Sequence, residues 1–124
     1  MTTILLVEDN EMNRDMLTRR LERKGYTVIA AIDGPSGIEM ARTSLPDIIL
    51  MDVALGDMDG WEATAILRAD ERTGHIPVIA LTAHALETDR RRSIEVGCID
   101  FETKPVSLAD LVEKIEKHAL HRAA

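Results

Sequence analysis

A run of four apolar residues that ends in a carboxylate, Ile48-Ile49-Leu50-Met51-Asp52, constrains the fold of this chain more than any other segment. Because the run has no polar alternation, it predicts a β-strand that is buried on both faces, as in the middle of a parallel sheet. An ionised carboxylate at the end of such a strand is costly unless a metal ion, a cation or a reaction partner compensates its charge. The run therefore predicts a parallel sheet and a chemical role for Asp52.

Further strand-like segments alternate with segments of helical periodicity along the chain. Strands are predicted at residues 3–7, 26–31, 47–51, 77–81 and 99–102, and helices at 11–24, 35–44, 86–96, after residue 59 and after residue 107. Strands that alternate with helices favour right-handed crossovers and a sheet covered by helices on both faces. Five such units predict a flavodoxin-like α/β fold, doubly wound with strand order 2-1-3-4-5, in a single domain over residues 1–124.

The composition excludes several classes of protein. A net charge of −7 argues against nucleic acid as a direct partner, because phosphate contacts need clustered Lys and Arg. No apolar run approaches the roughly 20 residues that cross a bilayer, and the N-terminus has no signal-peptide pattern. Cys98 has no second cysteine to pair with, which fits a reducing compartment. We therefore expect a cytoplasmic protein that binds neither membranes nor nucleic acid.

Aliphatic side chains must build most of the core, because the chain has one Trp, one Tyr and one Phe. We interpret Met12, Met16, Met51 and Cys98 as core residues. The run Arg90-Arg91-Arg92 is interpreted as the solvated face of the fourth helix.

Chemically active side chains follow four of the five predicted strands. They are Glu8 and Asp9 after strand one, Asp52 after strand three, Thr82 after strand four and Lys104 after strand five. Open α/β sheets bind ligands beyond the carboxyl ends of their strands, so these side chains are expected to meet. Clustered carboxylates repel one another, and Mg²⁺ relieves this repulsion because it prefers oxygen ligands. With the metal bound, Asp52 can attack a phosphoryl group whose oxygens contact Lys104 and Thr82.

In these residues the chain resembles the receiver domains of two-component response regulators. The motifs, in the order of the family, are Glu8-Asp9, Asp52, Met58-Asp59-Gly60, Thr82-Ala83 and Lys104-Pro105. The resemblance implies that Asp52 accepts a phosphoryl group from a histidine kinase or a histidine phosphotransfer protein. It also implies that Asp9, Asp52 and the backbone carbonyl of Ala54 hold Mg²⁺, with Glu8 acting through metal-bound water.

The same resemblance implies a conformational switch. Thr82 moves towards the acyl phosphate, and the aromatic residue of strand five, here Phe101, turns inward behind it. The bond before Pro105 is commonly cis in this family. A downstream protein target is expected to dock near helix four, strand five and helix five.

Two positions depart from the pattern of the family. Gly56 stands where the family usually has Pro, which predicts a more mobile loop without metal. Phe101 lacks the hydroxyl of the tyrosine often found there, so it can switch by packing but not through a hydrogen bond. His84, two residues after Thr82, is a candidate for tuning the hydrolysis of the phosphoryl group.

Two alternatives stay open. Mg²⁺-dependent phosphatases with an aspartyl nucleophile use the same residue types, but they have a second Asp where this chain has Ala54. We therefore favour a signalling switch over an enzyme. The segment after Thr82 resembles single-domain regulators of the DivK type and also the receivers of hybrid histidine kinases. Met1 and the short tail without an output domain favour the standalone form over a receiver excised from a hybrid kinase.

Overall fold

The computed structural model describes residues 2–83 and 87–120, and in this part of the chain five strands alternate with five helices. The strands are β1 (Thr3–Val7), β2 (Thr27–Ala31), β3 (Ile48–Asp52), β4 (Val78–Thr82) and β5 (Asp100–Thr103). The helices are α1 (Glu11–Arg23), α2 (Gly34–Ser44), α3 (Gly60–Ala69), α4 (Glu87–Glu95) and α5 (Leu108–His118). None of the helices in this part of the chain is long and apolar enough to cross a bilayer.

All five strands form one parallel sheet in the order β2-β1-β3-β4-β5, which confirms the predicted fold. Every residue of β3 and β4 is buried, as expected for unalternating apolar strands with helices on both faces. The strand order reverses between β1 and β3. The carboxyl ends of these two strands therefore border the crevice in which sheets of this type bind ligands.

Two apolar clusters cover the two faces of the sheet, because successive side chains of a strand point to opposite faces. Leu5 and Val7 join the cluster that includes residues of α2 and α3. Ile4 and Leu6 join the cluster that includes residues of α1 and α5. Met51 and Cys98 are buried, as predicted.

The prediction that Met12 and Met16 are core residues is wrong. Met12 is 78% exposed and Met16 is 44% exposed, whereas Leu17 and Leu21 of the same helix are buried. Consecutive helical residues are rotated by about 100°, so Met16 lies well to one side of Leu17 and Met12 lies farther still. The buried stripe of α1 is therefore narrower than the apolar pattern indicated.

Polar caps define where four of the helices begin. Asn10, Asp33, Asp59 and Ser107 each accept the backbone N–H of the residue three positions later. Such caps satisfy N–H groups that have no partner inside the helix, and the cap at Ser107 agrees with the helix predicted after residue 107. Compared with the prediction, β2 begins one residue later, and β3, β4 and β5 each begin and end one residue later, so that Asp52 is the last residue of β3.

Candidate functional site

Three carboxylates meet where β1 and β3 end. Glu8 and Asp9 directly follow β1, and Asp52 is the last residue of β3. One carboxylate oxygen from each residue lies within 4.8 Å of the other two. Glu8 and Asp52 are each 2% exposed, whereas Asp9 faces solvent. The sheet thus brings together the three acidic residues that the sequence singles out.

Lys104 lies between the two buried carboxylates. Its Nζ donates a hydrogen bond to Oδ2 of Asp52 at 2.9 Å and another to Oε1 of Glu8 at 3.0 Å. Its backbone N–H donates to the carbonyl of Thr82 at 2.7 Å, which joins the ends of β4 and β5. The Lys104–Pro105 bond is cis. A buried carboxylate needs such a partner, because desolvation otherwise makes its charge costly.

Burial and the contacts within this cluster shift the pKa values of two of its groups. Burial, and then the neighbouring Asp52, raise the pKa of Glu8 to about 7, although the hydrogen bond from Lys104 opposes the shift. Burial disfavours the charge of Lys104, but hydrogen bonds to Asp52 and Glu8 outweigh burial and raise the pKa of its ammonium. Lys104 is therefore protonated at neutral pH. The pKa of Glu8 thus stays raised, chiefly by burial, although Lys104 donates a hydrogen bond to it.

The three carboxylates have the chemistry that a magnesium ion requires. Mg²⁺ prefers oxygen ligands and commonly takes one or two carboxylates together with waters and phosphate oxygens. The cluster offers these oxygens, and Asp9 leaves it open to solvent. The N–H of Ala54 donates to Oδ1 of Asp52 at 3.1 Å. This hydrogen bond involves the N–H of Ala54 and not its carbonyl oxygen. The metal-binding role of the carbonyl oxygen stays a prediction.

The loop from Val53 to Asp59 turns back against Asp52. The N–H of Gly60 donates to the carbonyl of Val53 at 3.0 Å, and a Cβ at Gly60 would clash with the carbonyl oxygen of Asp52. Glycine is therefore required at the close approach between α3 and the end of β3. A Cβ at Gly56, by contrast, has no atom within 4 Å, so the loop has room for a side chain at the position where the family usually has Pro.

The two predicted switch residues lie on neighbouring strands. Thr82 is buried at the end of β4, and Phe101 of β5 is half-buried against the core. Two cations lie over the Phe101 ring: Arg90 of α4 is 4.6 Å from its centroid and Lys114 of α5 is 5.6 Å away. Arg90 is exposed, as the sequence predicted, but its contact with the Phe101 ring was not predicted. His84 lies outside the described residues.

Trp61 makes a second contact with α4 that the sequence reasoning missed. Its Nε1 donates a hydrogen bond to Oγ of the buried Ser93 at 2.9 Å. The guanidinium of Arg92 lies 5.0 Å from the centroid of the Trp61 ring. Trp61 is the second residue of α3 and follows the loop around Asp52. The sequence signal for these contacts is the presence of cationic and aromatic residues on neighbouring elements. Such a signal does not specify which side chains form pairs.

Comparison with known proteins identifies the class of protein that this fold and site define. The response regulator receiver domain family matches residues 4–116, so the chain belongs to this family. The polar-differentiation response regulator DivK of Brucella ovis is 38% identical to the chain over 116 residues, which cover 94% of each sequence. The resemblance to receiver domains is thus confirmed.

Two solved structures are similar over nearly the whole chain. The receiver domain of a sensor histidine kinase from Pseudomonas aeruginosa, with a magnesium ion coordinated in its active site cleft, has a TM-score of 0.88 and 38% identity, covering 94% of this chain and 96% of that one. A co-crystal structure from Saccharomyces cerevisiae contains a histidine phosphotransfer signalling protein and the receiver domain of its downstream response regulator. It matches with a TM-score of 0.88 and 28% identity, covering 95% of this chain and 88% of the matched chain.

Proposed function

We propose that Asp52 is the phosphoacceptor of this receiver domain and that its phosphorylation switches the surface formed by α4, β5 and α5. The observation that carries the proposal is the position of Asp52. It is a buried carboxylate at a strand end, hydrogen-bonded to an ammonium, with two further carboxylates within 4.8 Å. The phosphoacceptor role of receiver domains supports this assignment.

The proposed reaction transfers a phosphoryl group from a phosphohistidine to Asp52. A carboxylate oxygen of Asp52 attacks phosphorus, the P–N bond breaks, and the imidazole of the donor leaves with the electron pair and takes up a proton. Lys104, held at Asp52 by its hydrogen bond, neutralises charge on the phosphoryl oxygens, and Thr82 donates to one of them. Bound Mg²⁺ supplies further charge neutralisation; Asp9, Asp52 and the carbonyl of Ala54 would hold it directly and Glu8 through water.

Position 54 favours a switch over a phosphatase. In phosphatases with an aspartyl nucleophile, a second Asp at this position acts as general acid and base. Ala54 carries a methyl group, so no side chain there can activate water against the acyl phosphate. We therefore propose that the phosphorylated state persists and that the chain is a signalling module and not an enzyme.

We further propose that the phosphohistidine donor belongs to a histidine kinase or a histidine phosphotransfer protein and contacts α1. A groove of about 590 Å³ lies beside Glu8 and Lys104, and Met16 and Leu17 of α1 line it. The exposed Met12 and Met16 give this side of α1 an adaptable apolar surface, as suits a protein contact. The yeast co-crystal structure, which contains a receiver domain and a histidine phosphotransfer protein, supports a donor of this class.

The downstream target is proposed to dock near α4, β5 and α5. Phe101 lies there beneath Arg90 and Lys114, so an inward turn of its ring would break two cation contacts and alter the exposed surface. A role like that of DivK is supported by the match to this relative, which covers 94% of the relative's length. A cytoplasmic location and the absence of nucleic-acid and membrane contacts stay predictions.

The phosphoacceptor assignment is tested by incubating the protein with a small acyl phosphate and Mg²⁺ and measuring its intact mass. The wild type is expected to gain one phosphoryl group, and Asp52→Asn is expected to gain none. Asp57→Asn is the matched control, because Asp57 is an exposed acid of the same loop and its substitution changes the charge equally. An unmodified wild type, or a modified Asp52→Asn, would overturn the assignment.

A further inference from the structure

We propose that Arg14 is a positioning residue that holds the metal-binding carboxylates of Glu8 and Asp9 in place. Nη1 of Arg14 donates a hydrogen bond to the carbonyl oxygen of Glu8 at 3.0 Å and a longer one to that of Asp9 at 3.5 Å. These are the two consecutive residues whose side chains enter the carboxylate cluster. The inference rests on the proposed function, because it assigns a role at the same site.

Arg14 completes the anchoring of a short segment between β1 and α1. On the sheet side, the N–H of Glu8 donates to the carbonyl of Ala31 at 3.1 Å. Within the segment, the N–H of Asn10 donates to Oε2 of Glu8 at 3.3 Å. Arg14 adds a link from α1 to the carbonyl oxygens. Without Arg14, water would have to hydrogen-bond the carbonyl oxygen of Glu8. The backbone that carries both carboxylates would then gain conformational freedom.

Arg14 acts through the backbone of this segment and not through the carboxylates themselves. Because Arg14 contacts main-chain oxygens, it leaves the carboxylate oxygens of Glu8 and Asp9 to other partners. Arg14 also lies near the N-terminus of α1, where the helix dipole disfavours a cation. Its contacts with the carbonyls of Glu8 and Asp9 offset this disadvantage.

The test compares Mg²⁺ binding by Arg14→Ala, Arg14→Lys and Arg19→Ala in the full chain, measured by isothermal titration calorimetry. Arg19 is an exposed arginine of the same helix, so its substitution removes the same charge elsewhere on α1. Residues that orient metal ligands typically contribute about ten-fold or more to affinity, so Arg14→Ala is expected to raise the Kd for Mg²⁺ about ten-fold. Arg14→Lys is expected to recover part of this loss, and Arg19→Ala to bind nearly as the wild type does.

The outcomes separate this inference from the proposed function. Equal Kd values for Arg14→Ala and Arg19→Ala would overturn the positioning role and leave the phosphoacceptor assignment intact. A lower thermal midpoint for Arg14→Ala with an unchanged Kd would assign Arg14 to fold stability alone, and would also overturn the proposal. Failure of the wild type to bind Mg²⁺ would overturn both, and the calorimetry of the wild type is therefore measured first.

Discussion

At the scale of single residues, the site depends on how one ammonium is shared between two buried carboxylates. Lys104 donates to both Asp52 and Glu8, and the pKa of Glu8 is nevertheless raised, mainly by burial. Three carboxylates and one ammonium meet here, so the fully ionised cluster carries excess negative charge. This excess negative charge is consistent with the proposed binding of a divalent cation, which prefers oxygen ligands.

Substitution of Lys104 tests this charge balance. Lys104→Met should lower the free energy of unfolding by about 2 kcal/mol in the absence of Mg²⁺, because two buried carboxylates lose their shared cation. The loss is expected to be smaller than for a fully buried pair, since the Lys104 side chain is 23% exposed. Added Mg²⁺ should restore part of the stability by replacing the lost charge. Urea unfolding with and without Mg²⁺ measures both effects.

Lys117→Met is the matched control, because Lys117 is an exposed lysine of α5. It should change the free energy of unfolding little, with or without Mg²⁺. If Lys104→Met were as stable as this control, the ammonium would not be what compensates the buried carboxylates.

At the scale of elements, α4 differs from the other helices in how it is attached. Of the residues Glu87–Glu95, the buried one is Ser93, a polar residue. The helix is held by contacts with two aromatic side chains: Trp61 of α3 binds Ser93 and Arg92, and Phe101 of β5 lies under Arg90. Polar and cation contacts stabilise less than a buried apolar face. The described side chains of α4 therefore contribute little apolar burial to its attachment.

Ser93→Ala should loosen α4 selectively. The substitution leaves the Trp61 indole N–H without its acceptor, which should lower the free energy of unfolding by about 1 kcal/mol. Amide hydrogen exchange within α4 should become faster, while exchange in β3 and β4 should change only through global stability. Thr88→Ala, at an exposed position of α4, is the control. Equal exchange in both variants would show that the Trp61–Ser93 bond does not hold α4.

At the scale of the whole molecule, ion binding at the sheet edge is linked to the stability of the fold. The carboxylates lie at the ends of β1 and β3, and Lys104 follows β5, so the site requires these three strands to be assembled in the sheet. A ligand that binds only the folded state stabilises that state by mass action.

Mg²⁺ should therefore raise the thermal midpoint of the wild type in a concentration-dependent way. Asp9→Asn should greatly reduce this shift, because Asp9 is the exposed carboxylate of the cluster and one of its proposed metal ligands. Asp57→Asn should keep the shift, since Asp57 is an exposed acid of the loop after β3. Differential scanning calorimetry over a Mg²⁺ series measures both. A full shift in Asp9→Asn would exclude Asp9 as a ligand.

Most of the fold and of the site follows from local signals in the sequence. Ile48–Met51 predicted a buried strand, and the observed β3 is buried throughout. Glu8, Asp9, Asp52 and Lys104 were singled out because each follows a predicted strand, and parallel strands end at one edge of a sheet. The buried face of α1 was predicted less accurately. Met12 and Met16 fit the apolar periodicity of the helix, but only Leu17 and Leu21 are buried against the sheet.

The sequence by itself determined the order of the elements, the parallel sheet and the set of residues at its edge. These depend on apolar runs, periodicity and strand ends, which are properties of short segments. Only the tertiary structure decided which side chains touch. Lys104 meets Glu8 across 96 positions of sequence and Asp52 across 52, and Trp61 meets Ser93 across 32. Such pairs depend on how whole elements pack against one another, and no short segment encodes that geometry.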